Sequence, residues 1–328
     1  MSGPAMTGSP STPRFPPAGL ALILAGVALD AWASVAIARL SHHWLPVPAS
    51  SAAPLVDDLF ALESGIGAFI FLGCSGVMLW TVLFNRAPKY DLENGDPIEG
   101  NLRLEIVWTL IPLLLVMAIA WHAIDVNRTL ATLGGKLRTS GGHQHGAELV
   151  ADSAGAAGEG RIEAGPIEAR PIEVIARQWS WEFVYPSGVR STELHLPVNR
   201  PAEFNLVSLD VLHGFYVPAF RLKQDLIPGS EIRYRLTPTR EGRYRLRDSQ
   251  FSGGYFASNQ TDVVVESEAA YAAWLKQAAL LPLQPAGNAA AQLYGRRLEG
   301  GNRGWAIVPP ASPPLVNVDA DSTATHEA

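Results

Sequence analysis

Among the side chains of this 328-residue chain that could carry chemistry, thiols are almost absent: Cys74 is the only cysteine. It lies inside an apolar run, where cysteine packs as a small hydrophobe. A lone thiol excludes an intramolecular disulfide and any centre that needs two thiolates. Electron-transfer copper takes soft sulfur and imidazole donors, and one thiol within an apolar run cannot supply them. His213 follows Asp210-Val211-Leu212 and reads as a lone ligand or a hydrogen-bonded interior histidine. His143 and His145 have the spacing of a weak metal pair, but their glycine-rich surroundings give little preorganisation and read as plain linker. Glu105 opens an apolar block. A carboxylate at a membrane boundary either handles protons or is a favourable anion at a helix N-terminus. Trp179 and Trp181 are two apart on an expected strand and would share a face.

The elements that position these residues begin with a membrane anchor. Only 17% of the residues are charged, against roughly a quarter in ordinary soluble domains, and the excess apolarity concentrates before residue 125. The net charge of −6 argues against nucleic acid as a partner. Three blocks, Ala18–Leu40, Ser64–Phe84 and Ile106–Ile124, approach the roughly 20 residues that span a bilayer. Asp30 sits near the centre of the first, where a charge costs about 2.5–3.5 kcal/mol on insertion. That block is either a retained spanning helix whose Asp30 faces protein, or a signal peptide with Arg14 ahead of it and Ala31-Trp32-Ala33 as a small-x-small cleavage pattern. Arg86, Lys89 and Arg103 lie between the second and third blocks, whereas residues 41–57 contain no Lys or Arg. The positive-inside rule puts the second-to-third connection in the cytoplasm and everything after residue 125 on the opposite side.

Residues 134–170 are rich in Gly, Ala, Ser and Glu and read as a mobile linker. From Pro171 the texture changes. IEVIARQWSWEFVYP reads as one strand, and TELHLPVNRPAEFNLVSLD, GSEIRYRLTPTR, GRYRLRDS and TDVVVES supply more. Turn residues separate these runs, the pattern of a β-sandwich or barrel. Glu268–Leu280 has apolar residues at helical spacing. The expected organisation is a disordered N-terminus 1–17, the first helix or signal 18–40, and a membrane hairpin 41–125 with helices about 60–85 and 104–125. A linker 126–170, a β-domain 171–266, a short helix 267–282 and a tail 283–328 follow.

Five ordered segments carry a family resemblance: Val56-Asp57-Asp58-Leu59-Phe60; Glu99-Gly100-Asn101; Leu104 through Pro112, LEIVWTLIP; Gln178 through Phe183, QWSWEF; and Asp210 through Gly229, DVLHGFYVPAFRLKQDLIPG. Over roughly residues 54–266 the chain closely resembles subunit II of the haem–copper terminal oxidases. The extra first helix, VPASSAAPLVDDLF and the GGHQHG linker resemble its cyanobacterial branch. The resemblance implies an α+β membrane protein, with two transmembrane helices plus a third at the N-terminus, and a cupredoxin-like β-sandwich or barrel in the periplasm or lumen. It implies a bacterial plasma or thylakoid membrane.

In that family the β-domain holds two coppers. His213 corresponds to one ligand. The others follow a Tyr-Arg-Leu strand as Cys-x-Glu-x-Cys-x-x-x-His-x-x-Met. Here Asp248 and Ser252 stand for the cysteines, Gln250 for the glutamate, Phe256 for the histidine and Asn259 for the methionine. One of six ligands remains, and hydroxyl and carboxylate are hard donors, so the expectation is no metal in this chain and a relic His213. The alternate respiratory terminal oxidases of cyanobacteria and quinol oxidases are such copper-less relatives. No lipid-anchored N-terminal cysteine is present, and Arg-Leu-Lys-Gln-Asp resembles the cytochrome c oxidases, which points to descent from a copper-bearing ancestor. Gln250 occupies a place where the family carries a magnesium-reaching carboxylate; an amide oxygen binds a hard cation only weakly. Trp179 and Trp181 match electron-entry aromatics for cytochrome c, here read as packing. Glu105 matches the entrance of a proton path into subunit I.

The function implied is subunit II of a proton-pumping oxidase that reduces oxygen to water. The haems and copper belong to subunit I, subunit III is a further partner, and a quinol gives its electrons directly to subunit I. The alternatives are a docking subunit for cytochrome c or a similar soluble carrier, and a purely structural subunit.

Overall fold

The computed structural model describes residues 17–84, 86, 90, 100–134, 171–301 and 307–319. Three helices lead the chain: α1 Pro17–Ser41, α2 Ala53–Phe84 and α3 Leu102–Gly134. All three are long and apolar enough to cross a membrane. Helices satisfy their own backbone groups, which hydrocarbon demands. Leu22, Phe71 and Trp121 turn outward, as lipid-facing side chains do. α1 and α2 pack through small residues. A Cβ on Gly65 would lie 3.0 Å from Ala38 Cβ, and one on Gly73 would lie 3.1 Å from Asp30 Oδ2. Glycine at such contacts lets two membrane helices approach closely. Asp30 therefore faces α2.

Helix ends differ from the apolar blocks because hydropathy marks the membrane, not the helix. α2 starts at Ala53, well ahead of Ser64, with Ser50 Oγ accepting the Ala53 N–H at 3.2 Å as a cap. α3 continues to Gly134, so residues 126–134, read as linker, are its last turns. His143 and His145 lie outside the described residues.

The second unit comprises residues 45–56 and the chain from Trp121 onward. Its core is two five-stranded sheets. In chain order the strands are β1 Ile172–Arg177, β2 Ser180–Val184, β3 Arg190–Ser191, β4 Leu194–Pro197, β5 Ala202–Ser208, β6 His213–Val217, β7 Leu222–Leu226, β8 Ile232–Leu236, β9 Gly242–Asp248 and β10 Gln260–Glu266. One sheet runs β3-β2-β1-β5-β8, the other β4-β10-β9-β6-β7. Alternate residues of β1 and β5 (Val174, Ala176, Phe204, Leu206) are buried, with Phe183, Phe215, Leu226, Leu246 and Val263 among their core partners. The segment before α2 joins this domain. Ala49 is fully buried; its N–H donates to Ala219 O and its carbonyl accepts from Thr239 N, each at 2.9 Å.

Two further sequence expectations need correction. The run read as one strand is a hairpin: β1 and β2 are antiparallel with Arg177 opposite Ser180. Gln178-Trp179 is the turn, so Trp179 does not share a strand with Trp181. Neither Gln nor Trp is among the residues that advertise a two-residue hairpin. Among the described residues, the segment read as tail also carries regular elements. Beyond α4 Glu268–Ala278, β11 Leu283–Pro285 pairs with β12 Leu315–Asn317 around α5 Ala289–Glu299. Asn288 caps α5 by accepting the Ala291 N–H at 3.1 Å. Alanine- and proline-rich composition hid these short elements.

Candidate functional site

His213 opens β6 and Asp248 ends β9, two strands that pair across Phe215 and Asp248. The loop after Asp248 lies tightly on β6, where a Cβ on Gly214 would fall 2.1 Å from Ser249 Oγ. Only glycine permits that approach. This brings the Asp248 carboxylate into a set of inward-facing donors. Its Oδ1 accepts the backbone N–H groups of Gly214 at 2.8 Å and Gln250 at 3.1 Å. Its Oδ2 meets His213 Nδ1 at 2.6 Å, Ser252 Oγ at 2.9 Å and Asn259 Nδ2 at 3.0 Å.

The other ring nitrogen of His213, Nε2, meets Asp210 Oδ1 at 2.9 Å, and Asp210 Oδ2 accepts the Gln178 N–H at 2.6 Å. His213 is fully buried. With a carboxylate on each nitrogen, both positions donate, which is the imidazolium form. Burial pushes the imidazole down. The hydrogen bonds and charges of Asp210 and Asp248 outweigh it and raise its pKa to about 9. Burial pushes both carboxyls up, but the His213 hydrogen bond and backbone N–H groups hold each below the usual carboxylate range.

The network makes stability depend on pH. The His213 contribution is complete below its unfolded value near 6.5 and is lost as pH rises through about 9. The contributions of Asp210 and Asp248 are complete above about 3.9 and vanish as pH falls through their lowered folded values. Unfolding followed by tryptophan fluorescence is therefore expected to show a maximum between about pH 4 and 6.5. From there to pH 9.5 the loss is on the order of 3 kcal/mol, at about 1.4 kcal/mol per pKa unit.

Of the positions singled out in the sequence, His213, Asp248, Ser252 and Asn259 converge. Gln250 joins only through its backbone, and its side-chain amide donates to Asp225 Oδ1 at 2.9 Å. Phe256, on a single 3-10 turn, meets the exposed Phe251 ring at 5.2 Å. Trp181 Nε1 donates to Asn259 O and Trp179 Nε1 to Ser252 O, both at 3.1 Å. Both indoles are 2% exposed. In the membrane unit, Glu105 occupies the first turn of α3, and Asn101 Oδ1 caps that turn through the N–H groups of Arg103 and Leu104. A Cβ on Gly100 would fall 2.6 Å from Glu105 Oε1, so the glycine leaves room for the carboxylate to fold back.

Sequence reasoning missed Asp210 as a site residue, although it stands three residues before His213. It also missed His195. That ring stacks on Trp274 at 3.8 Å, and its Nδ1 meets Glu266 Oε1 at 2.9 Å, so it ties α4 to the sheet. Glu182, buried in β2, is held between the guanidinium groups of Arg177 and Arg190.

Residues 42–126 match the transmembrane domain of cytochrome c oxidase subunit II, and residues 189–267 match its periplasmic domain. The chain is 32% identical over 258 residues to cytochrome c oxidase subunit 2 of Thermostichus vulcanus, covering 72% of this chain and 79% of that protein. It is 34% identical over 205 residues to cytochrome c oxidase subunit 2 of Synechocystis sp., covering 58% and 62%. It is 26% identical over 237 residues to quinol oxidase subunit 2 of Bacillus subtilis, covering 70% and 64%. Spanning helices followed in the chain by two five-stranded sheets, with this pair of matched domains, define a haem–copper oxidase subunit. The chain belongs to the cytochrome c oxidase subunit II family, and is a membrane protein with a cupredoxin-like C-terminal domain in the periplasm.

The resemblance implies a dicopper centre at the His213 position, and the residues present do not fit one. Around His213 stand the Asp248 and Asp210 carboxylates and the Asn259 amide, with the Ser252 hydroxyl on Asp248, and none of these offers sulfur. An imidazolium offers no lone pair to a metal. Asp248 already accepts five hydrogen bonds.

Proposed function

We propose that this subunit II serves a proton-pumping terminal oxidase without carrying an electron relay of its own. The observation behind this reading is the His213–Asp248 network, in which an ion pair and its hydrogen bonds fill the place of a metal. Oxygen reduction then belongs to the haems and copper of subunit I, and a quinol delivers electrons to that subunit through the membrane. This chain supports subunit I, covers its periplasmic face and contributes Glu105 to proton uptake, with subunit III as a further partner. The purified complex is expected to turn over rapidly on a quinol and slowly on reduced cytochrome c. Rapid oxidation of cytochrome c with no oxidation of quinol would overturn the reading.

A second reading keeps a soluble carrier as donor, and the names of the Thermostichus and Synechocystis relatives favour it. Burial of Trp179 and Trp181 speaks against it, because neither ring is open to a partner. Steady-state rates at varied ionic strength separate the two, since a docked charged carrier weakens with salt.

A further inference from the structure

The C-terminal segment folds back onto the turn that holds Trp179. At one end, Asn317 Oδ1 accepts the Arg190 N–H at 2.8 Å, which seats β12 beside β3. Further back, the Ala311 N–H donates to Gln178 O at 2.5 Å. Ile307 sits on Gly254, where an added Cβ would lie 2.9 Å from Ile307 Cγ2 and 3.1 Å from its Cδ1. Tyr294 of α5 approaches Tyr255 edge-on at 6.4 Å. Gln178 and Gly254 belong to the two loops that enclose Trp179, since a Cβ on neighbouring Gly253 would strike Trp179 Cζ2 at 2.8 Å.

A side chain in a two-residue hairpin turn ordinarily meets water, because connections run over the surface. Trp179 is nevertheless 2% exposed. Beneath it the contacts continue inward. Trp179 Nε1 bonds Ser252 O, Ser252 Oγ bonds Asp248, and Asp248 bonds His213.

We propose that residues 307–317 are a built-in strap that closes the Trp179 face. A soluble macromolecular partner then meets the chain's own C-terminal segment rather than the turn above the His213 network. This deepens the function proposed above and rests on it for its meaning in turnover; the closure itself is a property of the fold.

Hydroxyl-radical footprinting of the purified oxidase, read residue by residue in a mass spectrometer, tests the strap. Phe251, 78% exposed on the same loop, is the open reference, and Trp181, 2% exposed, is the closed one. Two variants lift the strap from opposite sides. One is Ile307→Asp with Ala311→Pro, which removes the apolar contact and the N–H donor. The other is Gly254→Leu, which pushes from beneath. In the wild type Trp179 is expected to react at least about fivefold more slowly than Phe251, and local opening in either variant raises its rate about fivefold while Trp181 stays protected. Trp179 as reactive as Phe251 in the wild type, or unchanged in both variants, overturns the strap. Rapid cytochrome c oxidation by a wild-type complex with Trp179 protected would sink the quinol-fed function proposed above and leave the strap standing. Trp179 open in a complex that oxidises only quinol would do the reverse.

Discussion

Replacing Asp248 with alanine is expected to destabilise the periplasmic domain by about 3–5 kcal/mol, the cost of removing one partner from a buried ion pair. The carboxylate is the acceptor for two backbone N–H groups, Ser252, Asn259 and His213. Its loss leaves a fully buried imidazolium with Asp210 alone. For a domain near 100 residues each kcal/mol shifts Tm by about 4–8 °C, so a fall of at least roughly 12 °C is expected in thermal unfolding. Asp248→Asn keeps an acceptor oxygen but no charge and should fall between wild type and alanine. Ser252→Ala removes one hydrogen bond and should cost about 1 kcal/mol. An alanine variant at position 248 as stable as wild type would mean that the network contributes nothing.

Glu105→Gln is expected to slow oxygen consumption roughly tenfold, short of the ~10²–10⁴ lost with a direct acid or base, because the proposed role is at the entrance of the path and not at the reacting atoms. The substitution keeps size and hydrogen bonding and removes only the exchangeable charge. As a simple anion at a helix N-terminus, Glu105 would contribute about 0.3–1 kcal/mol of stability and nothing to turnover. Asn101 already caps that turn through its own side chain, so α3 should persist in the variant. Glu105→Asp, which retains the proton but shortens the reach, should recover part of the rate. Unchanged oxygen consumption and proton pumping with glutamine would leave this chain a scaffold.

Much of this architecture is legible in the chain because its signals are strong. Runs of about 20 apolar residues leave few alternatives to a spanning helix. The loop from Asp248 to Asn259 could be placed by its Tyr244-Arg245-Leu246 strand, and the missing sulfur was visible by counting. What replaces a metal could not be read that way. Asp248 in a cysteine position predicts a lost ligand, but its ion pair with His213 depends on β6 and β9 being adjacent, a contact between residues 35 apart. Asp210 becomes a partner only through the tight loop before β6. The turn at Gln178-Trp179 carries no glycine, asparagine or aspartate, so two strands read as one. The order in residues 283–301 and 307–319 rests on a three-residue strand pair, too short for a period to show, and on one capped helix that alanine-rich composition hid.

The central claim, that hydrogen-bonded ions occupy the metal's place, meets its most direct test in copper titration of the full-length chain purified in detergent. The account predicts that the protein stays colourless, retains less than stoichiometric copper after dialysis, and gives no paramagnetic signal from an electron shared between two coppers. A purple protein with that shared-electron signature and two coppers bound per chain would contradict it.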